Sequence, residues 1–161
     1  MKKVEVRRNG EWYKKGGINI IAKLTAAASL QQVLHRADFQ QRLKEDNDIT
    51  LLETLYPLLQ GYDSVELKSD LEIGGIDQKF NLLMGRRIQR YFGQGEQDVL
   101  MTPLLIGVDG ARKMSKSFKN FIPINGKPDD LFGQIMAIPD GLIKSYYELL
   151  TQIDYLESLS P

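Results

Sequence analysis

Apolar side chains recur at helical spacing through the first third of the chain. Residues 18–35 carry them on one side and predict a helix, and Asp38 is placed to cap a shorter helix that runs through Leu43. Ahead of these helices, residues 4–7 alternate between apolar and charged side chains and end at Asn9-Gly10. That alternation predicts a short strand followed by a turn.

The next helix has the clearest start in the chain. Thr50 and Glu53 stand three residues apart at the head of an apolar helical pattern. This spacing predicts a capping box, in which each side chain binds the backbone N–H of the other residue. Further along, Pro57 removes a backbone donor and Gly61 lowers helix propensity, so we expect a kinked helix there.

Beyond residue 70 the pattern changes to short apolar runs that alternate with helices. Residues 71–73 predict a strand that enters Gly74-Gly75, and Asp77 predicts the cap of a helix that stops at Gly93. A second strand over 99–106 is apolar enough to be buried on both faces of a parallel sheet.

Two more helices are predicted, near 129–137 and from Pro139-Asp140 to about 152. The order of elements after residue 50 is that of the back half of a doubly wound α/β domain with a Rossmann-type parallel sheet. Two strands do not complete such a sheet, so we expect the remaining strands upstream of this segment.

Composition narrows the class of protein. The 161 residues include 21 basic and 21 acidic side chains, so the net charge gives no sign of nucleic-acid binding. There is no cysteine, which excludes disulfides and cysteine-based zinc sites and fits a reducing, cytoplasmic location. No apolar run approaches the roughly 18 residues of a membrane span, so we expect no membrane partner. The sequence also shows no protein-bound metal site.

The most informative stretch is a cation-rich loop at 112–118. Arg112, Lys113 and Lys116 are interleaved with the hydroxyls of Ser115 and Ser117, after a turn-forming Gly-Val-Asp-Gly sequence. Cations and hydroxyl donors are what a triphosphate needs while its leaving pyrophosphate gathers negative charge. The alternative is an ordinary solvated basic loop. The P-loop pattern is absent, so a P-loop enzyme is excluded.

Two other groups of residues carry possible ligand chemistry. Tyr56, Gln60 and Asp63 are spaced by four and three residues, which places a phenol, an amide and a carboxylate on one helical stripe. They predict recognition of a small polar ligand, and the alternative is a solvent-facing helix surface. Gly74-Gly75 and Asp77 predict a close ligand approach and a ribose contact, and the alternative is a tight turn with a capping aspartate.

Together these three groups resemble one family. Lys113-Met114-Ser115-Lys116-Ser117 is identical to the KMSKS signature of class I aminoacyl-tRNA synthetases. Residues 56–63 resemble the tyrosine-binding helix of tyrosyl-tRNA synthetases, and residues 74–86 resemble their Gly-Gly-x-Asp-Gln segment. Residues 4–12 and the helices of 21–46 are similar to the insertion that joins the halves of the catalytic domain and forms its dimer interface.

The resemblance implies ATP-dependent activation of tyrosine and its transfer to tRNA by a homodimer. Tyrosine would be held by Tyr56, Gln60, Asp63 and Gln78. ATP, with Mg²⁺ expected, would be bound by Gly75, Asp77, Leu104, Leu105 and Met114. The catalytic loop residues would be Lys113, Lys116, Ser115 and Ser117, with the two lysines stabilising the pyrophosphate.

The same resemblance divides the chain into three parts. Residues 1–49 would be the connective and dimerisation segment, 50–138 the second half of the catalytic domain, and 139–161 a helical segment leading towards a tRNA-binding module. The family's His-x-Gly-His signature is absent here, so we expect the isolated chain to be inactive. The alternatives are a catalytically silent tyrosine-binding or dimerisation module, and a tryptophanyl-tRNA synthetase.

Overall fold

The computed structural model describes residues 4–152. It divides into two compact units, Met1–Thr102 and Pro103–Pro161. The described part of the first unit contains helices α1 to α5 and strands β1 and β2, and that of the second contains α6 and α7. No described helix has the length and apolar character that a membrane crossing requires.

Three helices open the first unit: α1 (Gly10–Ala27), α2 (Leu30–Leu34) and α3 (Ala37–Lys44). The predicted helix over 18–35 is therefore two helices, because Ser29 caps α2 with its own capping box. Gly17 interrupts α1 with φ +52° and ψ −141°, a backbone conformation that glycine adopts without steric cost. The part of α1 after this break begins where the sequence pattern predicts a helix.

The predicted strand over residues 4–7 is wrong. This stretch has no regular secondary structure, and the side chains of Val4 and Val6 are 83% and 82% exposed. A strand is stable only when its backbone pairs with a neighbour. Among the described residues, both paired strands lie further along the chain. Asp38 is also not a cap, since α3 starts one residue before it and its carboxylate binds Arg36.

Helix α4 (Leu51–Leu67) begins as predicted. Thr50 accepts a hydrogen bond from the Glu53 backbone N–H at 3.2 Å, and Glu53 accepts one from the Thr50 backbone N–H at 2.9 Å. The helix then continues past the buried Pro57. At Gly61 an added Cβ would lie 2.9 Å from Ile88 Cγ1, so the glycine allows α4 to pack closely against α5.

Strand β1 (Leu71–Gly75) pairs in parallel with β2 (Asp98–Thr102), and α5 (Lys79–Tyr91) connects them. This parallel pair with its crossover helix confirms the predicted α/β class. The second strand is shorter than predicted and alternates in exposure, with Leu100 48% exposed. The expectation that it is buried on both faces is wrong for the described chain, where α5 is the helix that packs against the sheet.

The turn between β1 and α5 differs from the sequence prediction. Residues Ile76–Gln78 form a short 3-10 helix, and Gln78 occupies the N-cap of α5 without a side-chain capping bond. Asp77 is therefore not the cap of this helix. Gly93, with φ +75°, follows the end of α5 and confirms the predicted stop.

The core of the first unit lies where α1, α4 and α5 meet. Tyr62 has its ring centroid 5.9 Å from Tyr13 and 5.1 Å from Phe92, so aromatic contacts tie the helices together. The other buried apolar residues of this core are Trp12, Leu24, Ala27, Leu58, Val65, Met84 and Ile88.

We expect Ile88→Val to lower the free energy of unfolding by about 0.5–1.5 kcal/mol, because it leaves a methyl-sized void in packed surroundings. Ile88 is completely buried. The matched control is Ile124→Val, since Ile124 is 95% exposed. Chemical denaturation of both variants measures the difference. Equal stabilities of the two variants would contradict this account of the core.

The second unit carries the basic loop and two helices, α6 (Pro128–Met136) and α7 (Asp140–Leu150), close to the predicted positions. Ile106 and Lys113 form an isolated antiparallel bridge that closes the loop between them. The buried Tyr146 of α7 donates its hydroxyl to the Ile106 carbonyl at 2.7 Å. This bond fixes the start of the loop to α7.

Candidate functional site

A cavity of about 450 Å³ lies beside α4 in the first unit. Its size falls within the roughly 300–1,000 Å³ that is common for small-molecule sites. The cavity combines apolar walls with a few polar groups. It is lined by Asn9, Tyr13, Gly17, Ile21, Tyr56, Leu59, Gln60 and Asp63.

The three residues of the predicted stripe all face this cavity. Tyr56, Gln60 and Asp63 lie on successive turns of α4, and their spacing places a phenol, an amide and a carboxylate along one wall. Tyr56 is 59% exposed, whereas Gln60 and Asp63 are half-buried. The cavity therefore offers hydrogen-bonding groups of three different chemistries to one ligand.

Asp63 is the charged group of the cavity. Its Oδ1 accepts a hydrogen bond from Trp12 Nε1 at 2.9 Å. Burial raises the pKa of the Asp63 carboxyl above its ordinary value, while hydrogen bonds from Trp12 and Asn9 oppose the rise. A carboxylate offers about four acceptor sites, which is more than the Trp12 indole and Asn9 fill. It is therefore suited to accept a further hydrogen bond from a ligand O–H or N–H.

Gln60 is oriented by a neighbour on the sheet. Its Nε2 donates to Glu72 Oε1 at 3.3 Å, and Glu72 lies on β1. With the amide nitrogen directed at Glu72, the amide oxygen is the end left to accept a hydrogen bond. This orientation suits a ligand that brings a donor.

The α1 residues that line the cavity, and Trp12, which binds Asp63 without lining the cavity itself, were not identified from the sequence. Trp12 lies 51 positions from Asp63 along the chain, so no local pattern connects them. One signal was available: Trp12 is the only tryptophan, and a buried indole N–H needs an acceptor. Tyr13, which lines the cavity, donates its hydroxyl to the Leu59 carbonyl at 2.7 Å.

The predicted residues after β1 lie outside this cavity. Gln78 is not among its lining residues, and its amide oxygen accepts from Asn81 Nδ2 at 3.1 Å. Gly75 and the exposed Asp77 precede Gln78 in the turn before α5. At Gly74 an added Cβ would lie 3.3 Å from Leu82 Cδ1, so this glycine permits packing of β1 on α5. The structure thus shows a packing role for Gly74, and the ligand approach predicted for Gly74-Gly75 stays a prediction.

The basic loop of the second unit is organised around a buried asparagine. Asn120 is 3% exposed, and its Oδ1 accepts from the Ser115 backbone N–H at 2.8 Å. Its Nδ2 donates to the Lys113 carbonyl at 3.1 Å and to Asp109 Oδ2 at 3.0 Å. The backbone of two predicted catalytic residues, Lys113 and Ser115, is therefore held from within the loop.

Asp109 organises the turn that leads into the loop. Its Oδ1 accepts from the backbone N–H groups of Ala111 and Arg112, both at 3.1 Å. These backbone hydrogen bonds are the largest cause that lowers the pKa of Asp109 to about 2. The Arg112 guanidinium pairs with Asp109 at 3.0 Å and lies 4.8 Å from the Phe118 ring centroid. The Arg112 side chain thus makes its contacts with neighbouring residues of the loop itself.

The remaining predicted loop residues lie close together in sequence and space. Ser115 Oγ and Ser117 Oγ are 2.7 Å apart, and Lys113 and Lys116 are exposed. Met114 donates its backbone N–H to the Leu105 carbonyl at 2.7 Å. Leu104, the residue before Leu105, is half-buried. Two exposed cations next to two hydroxyls form a surface that can bind an anion.

These two sites are found in a chain that matches a known family. The sequence profile described as "tRNA synthetases class I (W and Y)" matches residues 1–160. The chain belongs to this family. The letters denote tryptophan and tyrosine, so membership leaves the amino acid open.

Two curated relatives of this class I synthetase chain are named tyrosine–tRNA ligase. A tyrosine–tRNA ligase of Idiomarina loihiensis is 48% identical over 161 residues, which cover 97% of the chain and 40% of the relative. A tyrosine–tRNA ligase of Campylobacter jejuni is 51% identical over 151 residues, which cover 93% of the chain and 38% of the relative. The chain thus spans about two fifths of the length of these relatives.

Solved structures share the fold at lower sequence identity. Tyrosyl-tRNA synthetase from Archaeoglobus fulgidus, solved with L-tyrosine, matches with a TM-score of 0.66 and 24% identity over 88% of the chain and 46% of that structure. Tryptophanyl-tRNA synthetase from Campylobacter jejuni matches with a TM-score of 0.55 and 19% identity over 76% of the chain and 40% of that structure. These likenesses confirm the Rossmann-type class I synthetase fold.

We expect Trp12→Phe to raise the pKa of Asp63 further, because the change removes a hydrogen bond that favours the ionised carboxyl. Since the folded-state pKa lies above that of the unfolded chain, Asp63 favours folding at low pH. This contribution is lost as the pH rises through the folded-state pKa. Carbon NMR titration of labelled aspartates measures the shift. Tyr91→Phe is the control, and an unmoved Asp63 titration in Trp12→Phe would contradict the assignment.

Proposed function

We propose that the chain is the part of a tyrosine–tRNA ligase that binds tyrosine and stabilises the pyrophosphate released from ATP. The observation that carries the proposal is the cavity in which Tyr56, Gln60 and Asp63 meet. The Asp63 carboxylate would accept the phenol O–H of tyrosine, while Tyr56 and the Gln60 oxygen would accept N–H groups of its ammonium. Gln78 does not line this cavity, and its contact with the bound amino acid stays a prediction.

Two observations favour tyrosine over tryptophan: the names of the sequence relatives and the pattern of polar residues on α4. An aspartate accepts a hydrogen bond from an indole N–H as well as from a phenol, so Asp63 alone does not separate the two amino acids. The relatives named tyrosine–tRNA ligase are about half identical to the chain, whereas the tyrosyl and tryptophanyl structures, at 24% and 19% identity, do not separate the two amino acids. The Tyr-x₃-Gln-x₂-Asp stripe on α4 adds support for tyrosine.

The proposed reaction needs no protein nucleophile. A carboxylate oxygen of tyrosine attacks the α-phosphorus of ATP, the bond from that phosphorus to the β-phosphate oxygen breaks, and pyrophosphate leaves. The exposed cations of Lys113 and Lys116 would neutralise charge that grows on the leaving group, and Ser115 and Ser117 would donate hydrogen bonds to it. Catalysis of this kind depends on positioning and charge stabilisation.

The nucleotide contacts complete the proposal. Gly75 and Asp77 would bind the ribose, and the segment that contains Leu104, Leu105 and Met114 would pack on adenine. Mg²⁺ would accompany the phosphates of ATP as part of the substrate. The same enzyme would transfer tyrosine to its tRNA in the cytoplasm. The division of the chain at residues 49 and 138 stays a prediction.

The direct test is ATP–pyrophosphate exchange by a full-length ligase that contains this segment, with tyrosine or tryptophan as the amino acid. Exchange that depends on tyrosine supports the proposal. Exchange that depends on tryptophan would instead identify tryptophan as the amino acid that the enzyme activates. Tyrosine binding without exchange supports the alternative of a catalytically silent module. Calorimetry with each amino acid separates that outcome from a failure to bind.

The full-length ligase is also proposed to be a homodimer. An apolar groove of about 280 Å³ lies where α1, α2 and α4 meet in the first unit. Leu30 and Leu51, on its rim, are 53% and 78% exposed. An apolar surface of this kind is suited to burial against a second copy. Part of it belongs to residues 21–46, whose family resemblance predicts the dimer interface.

We expect Leu30→Asp to weaken the dimer at least tenfold, because it would bury a charge in an apolar contact. Ile124→Asp is the matched control, since Ile124 is exposed and lies in the other unit. Analytical ultracentrifugation across a concentration series measures both dissociation constants. A full-length protein that is monomeric at micromolar concentration, or equal effects of the two changes, would contradict this interface.

A further inference from the structure

Gln60 is held by a hydrogen-bonded network that extends away from the cavity, with Glu72 at its centre. The two Glu72 oxygens accept from three side chains. Oε1 accepts from Gln60 Nε2 at 3.3 Å, while Oε2 accepts from Ser64 Oγ at 3.2 Å and from Gln97 Nε2. Glu72 therefore joins α4 to the segment that precedes β2.

The side of the network away from the cavity is buried and fixed. Gln97 is 1% exposed, and its backbone N–H donates to Gln89 Oε1 at 2.7 Å. Gln89, also 1% exposed, donates its Nε2 to the Ser69 carbonyl at 2.9 Å. Arg86 Nη1 donates to the Gln97 carbonyl at 2.8 Å. Gln97 consequently has little freedom to follow Glu72 if that side chain moves.

Close packing limits the movement of Glu72 as well. A Cβ added at Gly85 would lie 2.7 Å from Gln97 Nε2 and 3.2 Å from Glu72 Oε2. Helix α5 thus passes directly against the carboxylate and the amide. Interiors packed this closely hold side chains in one arrangement.

The chemistry of a carboxylate decides which end of the Gln60 amide it binds. An ionised carboxylate only accepts hydrogen bonds, whereas an amide has a donor end and an acceptor end. Glu72 therefore binds the Gln60 NH₂ group, and the Gln60 oxygen is left as the acceptor at the cavity. Burial is the largest cause of the raised pKa of Asp63, and the negative charge of Glu72 adds to it. The charge of Glu72 thus acts within the cavity.

We propose that Glu72 is a positioning residue that fixes the Gln60 amide with its oxygen towards the ligand and thereby selects a ligand that carries an ammonium group. This inference rests on the proposed function, since it assigns the ammonium to the tyrosine bound beside Gln60. A ligand that presents an acceptor at the same position would meet the Gln60 oxygen and be rejected. Glu72 acts through Gln60 and need not touch the ligand.

The test measures the binding of L-tyrosine and of desaminotyrosine, which lacks the ammonium, to a full-length ligase that contains this segment. Glu72→Gln keeps the side-chain size but presents either a donor or an acceptor to Gln60. We expect it to weaken tyrosine binding about tenfold, the effect of losing one charge-assisted hydrogen bond, and to leave desaminotyrosine binding nearly unchanged. Glu66→Gln, on α4 in the same unit, is the matched control.

A double-mutant cycle separates positioning from general damage. In a Gln60→Ala background there is no amide to orient, so Glu72→Gln should no longer affect tyrosine binding. If Glu72→Gln does not fold, Glu72→Asp replaces it in the test. This change keeps the charge but withdraws the carboxylate by one methylene, so it should also weaken tyrosine binding more than desaminotyrosine binding. Thermal unfolding of each variant reports whether it is folded.

The outcomes distinguish this inference from the proposed function. If the unaltered ligase binds tyrosine and Glu72→Gln binds it equally well, the positioning role of Glu72 is wrong and the proposed function stands. Equal losses for tyrosine and desaminotyrosine, or an undiminished effect in the Gln60→Ala background, also overturn the positioning role. If the unaltered ligase binds no tyrosine, both the proposed function and this inference are wrong.

Discussion

Replacing Lys116 by alanine in a full-length ligase that contains this segment should slow tyrosine activation by about 100–1,000-fold. Tyrosine affinity should stay nearly unchanged, because the proposed partner of this lysine is charge that grows on the pyrophosphate in the transition state. An interaction made only in the transition state changes the rate constant and leaves ground-state binding alone. Single-turnover kinetics with a separate binding titration measures the two quantities.

The structure supports Lys116 as the residue to test within this loop. Arg112 pairs with Asp109 and stacks on Phe118, so its charge serves the loop itself. The Lys116 side chain is exposed, while its loop is held by the buried Asn120. Removing the lysine side chain should therefore take away a charge without collapsing the backbone that presents it.

A matched control lies three residues further on. Lys119→Ala removes the same charge from the same exposed loop and should leave most of the activation rate intact. Equal losses of activation rate in Lys116→Ala and Lys119→Ala would mean that the total positive charge of the loop matters and that Lys116 has no specific role. A parallel loss of tyrosine affinity in Lys116→Ala would show that the lysine binds the ground state.

The features predicted correctly from sequence depend on residues close together in the chain. The Thr50–Glu53 capping box spans three residues, and both bonds form as expected. Gly93 ends α5 because a residue with positive φ follows its last turn. The stripe of Tyr56, Gln60 and Asp63 follows from helical spacing alone once α4 is known to be a helix. Such signals need no knowledge of distant parts of the chain.

The errors arise where a distant partner decides the outcome. Residues 4–7 alternate like a strand, yet no described strand pairs with them. The second strand stops at Thr102 although the apolar run continues to Ile106, because its pairing with β1 ends at Gly75. Alternation and apolar character describe side chains, whereas a strand also requires backbone hydrogen bonds to a neighbour.

The same distinction applies to the candidate site. Spacing identifies the groups on α4 but not the residues that set their chemistry. Trp12 approaches Asp63 only through the packing of α1 on α4, and Glu72 reaches Gln60 only because β1 lies beside that helix. Asn120 likewise organises the loop that holds the predicted catalytic residues, although it lies outside their sequence motif. Positioning residues of this kind become visible when the fold is known.

Replacing Asp63 by alanine should lower the preference of the full-length ligase for tyrosine over phenylalanine by on the order of 100-fold, the effect of one hydrogen bond to a buried charged group. Phenylalanine differs from tyrosine by the phenol O–H, which is the proposed donor to Asp63. In the unaltered cavity, phenylalanine leaves this half-buried carboxylate short of a partner, whereas alanine removes that penalty. The ratio of kcat/KM for the two amino acids in pyrophosphate exchange measures the change.

Two comparisons make the Asp63 prediction specific. Asp63→Asn keeps the volume and one acceptor oxygen but loses the charge, so it should retain a preference between those of the unaltered enzyme and Asp63→Ala. Lowering the pH should imitate the asparagine variant, because protonation removes the same charge. Since burial raises the pKa of Asp63, this loss should begin at a higher pH than for an ordinary aspartate. Unchanged preference in Asp63→Ala would place the tyrosine phenol elsewhere and reject this cavity as its site.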